Sequence, residues 1–408
     1  FDAVTTALGK RRWVPEFRFI NHYHDSKGYI AALAASIRDH WDRHGKGERL
    51  LFSFHGVPRQ TLLDGDPYHC QCQKTARLVA TLDQVSGGRI GWNVVTGSSD
   101  FAAMNFGMNG MPEHDLRYDM ADDFMEVVLG HWDSWDDDAI VLDKRNGVFA
   151  RPGSVRRLDH VGPYYKSRGP FTVPRSPQGR PVIMQAGASG RGQKFAARWG
   201  ELLFTAPPHL EAATAAYKSL KAACAANGRN PDHMKIAALG FPIAAATKAE
   251  AEDKRAFYDT LPNEIDQLSL LSEALNYDFG RKGIDEPFTD AEMEGVSGMQ
   301  TMRDRVVQQG AKNPTPRDFM RITQRGRLNH AWVGGPKEIA DIMEEWFTTP
   351  ACDGFVIGPS WLPGSFEDFV EHVVPELQRR GLYRQDYTGS TLRDHLGLPK
   401  ATIGDWKA

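Results

Sequence analysis

Apolar residues recur along this chain in two periods, and segments of the two kinds alternate. Short runs that are continuously apolar or strictly alternating predict strands, whereas apolar residues spaced three and four apart predict helices. The predicted strands are residues 16–20, 50–54, 89–95, 181–185, 201–204, 235–241 and 354–357. The predicted helices are residues 29–44, 71–85, 118–129, 192–199, 210–226, 336–347 and 366–380. Strands that alternate with amphipathic helices predict a parallel α/β protein.

The strands and helices after residue 88 predict most of a (β/α)8 barrel, a sheet that needs eight strands to close. Two stretches break the alternation. Residues 132–180 are rich in Asp, Gly and Pro, and residues 258–327 are polar with weak periodicity. Loops longer than about 12–15 residues are usually lids, binding loops or disordered segments. Because barrel enzymes work at one end of the sheet, we expect both stretches to be lids over the carboxyl ends of the strands.

Composition narrows the class of protein. The chain has 408 residues, of which 41% are hydrophobic and 25% charged, and a formal net charge of -3. It can bury a core, and it has no basic excess that would favour nucleic acid or anionic lipid. No apolar run approaches the roughly 20 residues of a membrane span. We expect a cytoplasmic protein, which suits its four cysteines. The run 69–72 (HCQC) is too compressed for the usual zinc spacing, so we expect no metal site.

The chain changes character near residues 76–83, inside a predicted helix. Ala76, Val79, Leu82 and Val85 recur there at helical spacing, and the glycine pair 87–88 is a helix stop. The motifs before and after this seam are of different kinds. We therefore divide the chain into residues 1–82 and residues 83–408.

The larger part carries a series of long motifs in order. These are ATLDQVSGGR (80–89), WNVVT (92–96), EHDLRY (113–118), PRSPQG (174–179), PVIMQAGAS (181–189) and TLRDHLGL (391–398). On these motifs, residues 75–408 resemble the nitrilotriacetate and dibenzothiophene-sulfone monooxygenase family of bacterial-luciferase-like flavin barrels. The resemblance implies a luciferase-like (β/α)8 TIM barrel that lacks its first three strands here.

The first part carries FINHYHD (19–25) and SFHGVP (53–58). On these motifs, residues 1–82 resemble a fragment of a ferrochelatase, which implies a short α/β segment ahead of the barrel. The two patterns share the string 76–80, so we interpret the chain as a chimera whose junction lies in one helix.

The monooxygenase resemblance implies a reaction and its partners. Reduced FMN and O2 would oxygenate a small organic molecule, such as a sulfone, an aminopolycarboxylate or another xenobiotic. No second Gly-rich nucleotide-binding turn with a downstream acid is present, so reduced FMN is expected from a separate NAD(P)H:flavin reductase. The resemblance leaves a homo-oligomer open.

A Gly-rich turn, residues 187–192, follows a predicted strand and opens a helix. Its backbone N–H groups and the helix dipole suit a phosphate, although such a turn is as often ordinary turn chemistry. The resemblance assigns Ser189 and Gly190 to the FMN phosphate. His114 and Tyr118 are four residues apart at a helix start, where they either make a simple helix contact or face one ligand. The resemblance implies that both contact FMN.

Asn93 and Thr96 stand at the carboxyl end of a predicted strand, where barrel enzymes place working residues. A strand-end amide and a capping threonine are the alternative interpretation. Trp92, Phe204 and Phe241 either line an apolar slot for the flavin ring or pack in the core, which is the default for such residues.

Two other functions stay open. His55 ends a predicted strand and matches the active-site histidine of the ferrochelatase pattern, where imidazole suits metal delivery and proton transfer in porphyrin metallation. A strand-end histidine is otherwise a hydrogen-bonded structural residue. A chimera without catalytic activity is the third hypothesis.

Overall fold

The computed structural model describes residues 50–55, 77, 79–97, 100–104, 109–187, 189–309, 313–323 and 331–407, and for residues 50–55, 101, 102, 300 and 301 it describes only the backbone. All of these residues belong to one compact unit, Arg49–Ala408. The predicted strand at residues 16–20, the helix at 29–44 and the run 69–72 lie outside the described residues. Among the described helices, none has the length and apolar character that crossing a membrane requires.

A seven-stranded parallel sheet forms the centre of the fold. Its strands are β1 (Leu50–His55), β2 (Ile90–Val95), β7 (Val182–Gln185), β8 (Leu202–Thr205), β9 (Lys235–Ala244), β10 (Ala331–Gly334) and β11 (Gly354–Ile357). The order is β1-β2-β7-β8-β9-β10, and β11 also pairs with β9. Within the described residues, β1 and β10 are not bonded to each other. The parallel α/β prediction is confirmed, and every predicted strand in the described part of the chain is present.

Strand β10 was not predicted, and β9 is longer than expected. The segment of β10 has only four residues and is followed at once by Gly335 and Pro336, so its sequence resembles a turn. The ten residues of β9 pair with three strands: Lys235–Ala238 with β8, Ala237–Gly240 with β11, and Phe241–Ala244 with β10.

Helices flank the sheet. They are α1 (79–86), α2 (Asp100–Met104), α3 (His114–Trp132), α4 (Gly190–Trp199), α5 (Leu210–Ala226), α6 (Lys248–Asp259), α7 (Glu264–Leu275), α8 (Asp290–Gly295), α9 (Gln300–Gln309), α10 (Pro316–Thr323), α11 (Pro336–Thr348), α12 (Gly364–Asp368), α13 (Val374–Arg379) and α14 (Leu392–Leu396). Short 3-10 turns lie at Pro231–His233 and Phe279–Arg281. The helix predicted over 366–380 is instead α12, a π-helical turn at Phe369–Val373, and α13. Pro375 explains the interruption, because proline lacks the N–H that continues a helix.

Both irregular stretches contain structure of their own. Residues 132–180 form two antiparallel hairpins, β3 (Ile140–Asp143) with β4 (Val148–Ala150) and β5 (His160–Val161) with β6 (Lys166–Ser167). Helices α7 to α10 enclose a separate apolar cluster that includes Leu271, Phe279, Phe288 and Phe319. The stretch consists of short helices joined by turns, of which α7 buries four residues and α8 none, so no long amphipathic period develops. Their role as lids stays a prediction.

The residues on either side of the seam belong to the same sheet. Strand β1, from the ferrochelatase-like part, pairs with β2 along its whole length, from Leu50 opposite Ile90 to His55 opposite Val95. Helix α1 contains the predicted junction between residues 82 and 83, and its Gln84 side chain donates to the backbone oxygen of Pro174 at 2.9 Å. Chain division at residue 82 stays a prediction.

Asp83 of α1 is completely buried and fixes the start of β2. Its Oδ1 accepts hydrogen bonds from Ile90 N at 3.0 Å and from Gln178 Nε2 at 2.8 Å, whereas Oδ2 has no partner among the described residues. Burial raises the pKa of Asp83 from 3.8 to about 6, although these hydrogen bonds and Arg393 oppose the shift. The folded protein therefore holds this proton more tightly than the unfolded chain does.

We expect Asp83→Asn to stabilise the protein at neutral pH. Because the pKa of Asp83 is raised on folding, wild-type stability falls as pH rises from about 4 through about 6, and the full cost is present above that range. An amide keeps the acceptor and never ionises, so its advantage at pH 7 is up to about 3 kcal/mol. Urea unfolding at several pH values measures the difference. Wild-type and Asp83→Asn curves that stay parallel between pH 4 and 7 contradict the assignment.

Candidate functional site

Strands β2 and β7 are parallel neighbours, so their carboxyl ends meet at one edge of the sheet. Asn93 of β2 stands opposite Met184 of β7, and each chain segment leaves the sheet within three residues. Thr96 follows β2 directly and is half-buried. Gly97 then turns the backbone with a φ of 75°, a left-handed value that favours glycine. The two predicted strand-end residues therefore lie at the edge where parallel sheets carry ligand sites.

Asn93 faces away from the helices that cover the other side of β2. Its neighbours Trp92 and Val94 belong to the core between the sheet and helices α3 and α4. Because side chains alternate along a strand, Asn93 points to the opposite face. Its Oδ1 atom is buried and has no hydrogen-bond partner among the described residues. A buried acceptor without a partner is costly, which marks this atom as one that a ligand could satisfy.

Helix α3 begins at the same edge and carries the predicted pair. Glu113 caps the helix by accepting from Leu116 N at 2.9 Å. The rings of His114 and Tyr118 lie 5.2 Å apart between centroids, so they share one side of the first turn. His114 Nδ1 is 2.6 Å from Asp115 Oδ1. Tyr118 is buried against Phe195 of α4, with ring centroids 5.6 Å apart.

The Gly-rich turn closes around the hydroxyl of Tyr118. A Cβ atom added at Gly187 or at Gly192 would lie 2.8 Å from Tyr118 Oη, so only glycine allows this approach. Ser189 caps α4 by accepting from Gly192 N at 3.0 Å. At Gly190, by contrast, an added Cβ would meet no atom within 4 Å. The turn thus brings the predicted Ser189 and Gly190 to the start of α4, beside the hydroxyl of Tyr118.

The positive charge of Arg191 is already paired with carboxylates on α3. Its guanidinium is 2.9 Å from Asp119 Oδ1 and also pairs with Asp122, both on α3. Burial disfavours the charged guanidinium, but these two carboxylates hold the pKa of Arg191 above its ordinary value. Any anion bound here would therefore depend on the N–H groups that open α4 and on neutral side chains.

Sequence reasoning missed two residues at this edge. Arg117 donates to the carbonyl oxygen of Gly97, and its buried Nε has no partner in the described part of the chain. Burial lowers the pKa of Arg117, with Tyr118, Glu113 and Asp100 opposing that shift. Gln185, the last residue of β7, is buried and accepts from Gly187 N at 2.7 Å. Arg117 lies in the motif EHDLRY and Gln185 in the motif PVIMQAGAS. Membership of these motifs was the only sequence signal for either residue.

The three aromatic residues considered for a flavin slot have other neighbours. Trp92 packs edge-on against Trp132, with centroids 5.6 Å apart, and lies in the helix-covered core. Phe204 packs against a cluster formed by Val182, Met184, Leu392 and Leu398. Phe241 faces Gly358, where an added Cβ would meet its ring. Core packing is thus the observed role of Trp92 and Phe204.

The helical insertion contacts the same edge. Asn276, which ends α7 in a left-handed conformation, accepts a hydrogen bond from Asp100 N at 3.3 Å. Asp100 in turn accepts from Met111 N at 2.8 Å. These contacts join the insertion to the loops that connect β2 with α3.

One histidine and carboxylate cluster occurs among the described residues, formed by Asp123, Glu126 and His160. Its atoms already have protein partners. His160 Nε2 is 2.7 Å from Asp123 Oδ1, and Asp123 Oδ2 accepts from the N–H groups of Tyr164 and Tyr165. Glu126 pairs with Arg198 at 2.6 Å. The cluster therefore fastens the β5–β6 hairpin to α3.

His55 ends β1 at the same edge of the sheet, one strand away from Asn93. Its side chain lies outside the described residues. The porphyrin-metallation hypothesis for His55 stays a prediction.

Comparison with known proteins connects this geometry to two families. The family model for luciferase-like monooxygenases matches residues 67–351. The dibenzothiophene-sulfone monooxygenase of Rhodococcus erythropolis is 43% identical over 342 residues, which cover 81% of this chain and 73% of that protein. Nitrilotriacetate monooxygenase component A of Aminobacter aminovorans is 41% identical over 336 residues, 80% of this chain and 73% of that protein. The riboflavin lyase RcaE, solved with modified FMN and riboflavin, superposes with a TM-score of 0.73 at 33% identity, covering 95% of this chain and 79% of that one.

The second match concerns the first part of the chain. The ferrochelatase family model matches residues 1–95. The ferrochelatase of Methylibium petroleiphilum is 63% identical over 79 residues, which are 19% of this chain and 22% of that enzyme. The two family models overlap at residues 67–95, which include the seam and all of β2. Both resemblances recognised in the sequence are confirmed, and the two matches are consistent with a chimera.

Proposed function

Because the chain belongs to the luciferase-like monooxygenase family, we propose that it oxygenates a small organic substrate with reduced FMN and O2. One observation carries the proposal: Tyr118 Oη on α3 and Ser189 Oγ at the start of α4 approach Gly192 together, at 2.8 and 2.9 Å from the position of an added Cβ, beside the exposed Gly190. The turn follows β7, whose neighbouring strand β2 carries Asn93, a buried acceptor without a partner among the described residues.

The phosphate of FMN is assigned to the turn after β7. The N–H groups of Gly190 and Arg191 open α4, where a helix has no partner of its own for them and its dipole favours an anion. Tyr118 Oη lies against this turn and can donate a hydrogen bond, and His114 stands one helical turn earlier on the same side. Because Arg191 is neutralised by Asp119 and Asp122, the turn holds the phosphate mainly through hydrogen bonds.

The ring of FMN is assigned to the strand-end side. Asn93 Oδ1 is an acceptor and suits an N–H group of the isoalloxazine. Gln185 and Arg117 position the site, since each fixes the backbone of a loop that borders it, at Gly187 and at Gly97. Thr96 continues β2 into the second of these loops. When bound, the flavin supplies the redox chemistry that activates O2 for transfer of one oxygen atom to the substrate.

The substrate is proposed to be a sulfone, an aminopolycarboxylate or another small organic molecule, because relatives at 41–43% identity are named for dibenzothiophene sulfone and nitrilotriacetate. A separate NAD(P)H:flavin reductase is proposed as the source of reduced FMN, and the relative named component A fits such an arrangement. The insertion, whose Asn276 accepts a hydrogen bond from Asp100 N, is proposed to shield the site from water.

Binding of FMN by the full chain tests the proposal without a substrate. Anaerobic titration with reduced FMN, followed by fluorescence, should saturate with one flavin per chain. Addition of a flavin reductase, NADH and O2 should then consume dibenzothiophene sulfone or nitrilotriacetate. A chain that binds neither oxidised nor reduced FMN, although it melts cooperatively, excludes the proposed function.

We expect Tyr118→Phe to weaken FMN binding about tenfold, because it removes one hydrogen-bond donor to a charged acceptor. The ring remains, so its packing against Phe195 is kept and stability should change by less than about 1 kcal/mol. Tyr258→Phe is the matched control, since Tyr258 stacks on Trp361 with centroids 4.6 Å apart at another place. Equal FMN affinity for wild type and Tyr118→Phe removes Tyr118 from the site.

A further inference from the structure

The guanidinium of Arg117 carries a positive charge that forms no ion pair with any described residue. Its hydrogen-bond partner among them is the carbonyl oxygen of Gly97, which is neutral. Its Nε atom is buried and has no partner in the described ranges. Two carboxylates, Glu113 and Asp100, act on Arg117 electrostatically, but they accept hydrogen bonds from backbone N–H groups, at 2.9 and 2.8 Å. The cation is therefore held in place without being neutralised.

Arg117 reaches the side of the site that we assign to the flavin ring. It precedes Tyr118 on α3, and the two side chains extend to different loops. Tyr118 extends to the turn after β7, where its hydroxyl approaches Gly187. Arg117 extends to the loop after β2, which it meets at Gly97. Because β2 also carries Asn93, whose Oδ1 lacks a partner among the described residues, a buried donor and a buried acceptor serve the same end of one strand.

The charge of Arg117 differs from that of Arg191 on the phosphate side. Arg191 is 2.9 Å from Asp119 and also pairs with Asp122, so its charge is balanced before any ligand binds. Burial lowers the pKa of Arg117, but an arginine stays protonated at neutral pH. A cation that is partly removed from water and has no carboxylate partner costs free energy. A ligand that brings a negative charge to this place recovers that cost.

Reduced FMN offers such a charge at its ring. The oxidised isoalloxazine is neutral, whereas the reduced ring can lose a proton and become an anion. A fixed cation beside the ring favours the anion, so that reduction by two electrons takes up one proton instead of two. We propose that Arg117 pairs with the negative charge of the reduced flavin ring and thereby makes this chain bind reduced FMN more tightly than oxidised FMN. This role rests on the proposed function, because it requires FMN at the site.

Affinities for the two oxidation states of FMN test this role. Titration of the full chain without oxygen gives the Kd of reduced FMN, and titration in air gives the Kd of oxidised FMN. We expect Arg117→Gln to weaken binding of reduced FMN about tenfold and to change binding of oxidised FMN by less than about twofold. Because the two affinities are linked to the midpoint potential, a tenfold change in their ratio lowers the potential of bound FMN by about 30 mV.

Two further variants separate the charge from the fold. Arg117→Lys keeps the charge and should keep the ratio of the two affinities within about threefold of wild type. Arg198→Gln is the matched control, because Arg198 pairs with Glu126 at 2.6 Å in the last turn of α4 and should change neither affinity. Near-ultraviolet circular dichroism establishes that each variant is folded.

Equal losses for oxidised and reduced FMN in Arg117→Gln overturn the role. A residue that only holds the loop at Gly97, or that holds the phosphate, affects both oxidation states alike. Wild-type protein that binds both states equally also overturns it, as does an Arg117→Lys variant that loses as much preference as Arg117→Gln. A wild-type chain that binds neither form of FMN overturns the proposed function as well, so the two failures are distinguishable.

Discussion

Gly190→Ala is expected to weaken FMN binding about 30-fold, a loss of about 2 kcal/mol, while the protein stays fully folded. An added Cβ at Gly190 would meet no protein atom within 4 Å, so the substitution fits without strain. The methyl group would instead enter the open space that we assign to the phosphate, and it would keep phosphate oxygens away from the N–H groups that open α4. Titration with reduced FMN measures the loss.

Gly295→Ala is the matched control for this substitution. Gly295 is also helical and also has no atom within 4 Å of an added Cβ, but it lies in α8 of the insertion. Both variants should unfold with wild-type free energy or slightly higher, because alanine favours helix more than glycine by up to about 1 kcal/mol. Unchanged FMN affinity in Gly190→Ala moves the phosphate away from this turn, even if FMN still binds elsewhere.

The parts of the fold that the sequence predicted share a local signal. Largely apolar runs predicted β2, β7 and β8. All four residues of β7 are buried, so that strand shows no alternation of buried and exposed positions. Strand β10 had no such signal, because a glycine pair and a proline follow directly on only three apolar residues. The β3–β4 hairpin was hidden for a related reason: its strands are short, and one of them carries a bulge.

The candidate site was predictable to the same limited extent. Position at a strand end identified Asn93 and Thr96, and spacing on a helix identified His114 and Tyr118. Neither rule identifies Arg117. It lies between His114 and Tyr118 in the sequence and looks like a helix-surface residue until its contact with Gly97 is known. Contacts over long separations carry no periodic signal at all.

Several family motifs hold the sheet together rather than the cofactor. In ATLDQVSGGR, Asp83 and Gln84 bind the segment PRSPQG through Gln178 and Pro174. In TLRDHLGL, Leu392 N donates to Gly88 O at 2.9 Å, beside the start of β2. These motifs close the end of the sheet opposite the candidate site, so the family resemblance records stability as well as chemistry.

Glu201→Gln is expected to lower the free energy of unfolding by about 3–5 kcal/mol, as breaking a buried ion pair does. Glu201 Oε2 lies 2.7 Å from Arg393 Nη2 and also accepts from Ile183 N at 2.9 Å. Burial opposes the charge, but Arg393 and Arg180 hold the pKa of Glu201 below its ordinary value. The stability it provides is therefore present at neutral pH and is lost as pH falls below the ordinary range of a glutamate. Urea unfolding at pH 7 measures the change.

Lys337→Met is the control that compares the loss of an exposed ion pair with the loss of the buried pair between Glu201 and Arg393. Lys337 Nζ lies 2.7 Å from Asp341, but 73% of its side chain is exposed, so its removal should cost less than about 1 kcal/mol. The double variant Glu201→Gln/Arg393→Met should lose less than the sum of the single losses, because each single change leaves the other group buried without its partner. Additive losses would mean that Glu201 and Arg393, which are 192 positions apart in the sequence, do not stabilise each other. The carboxyl-terminal segment would then be held to the sheet by its other contacts.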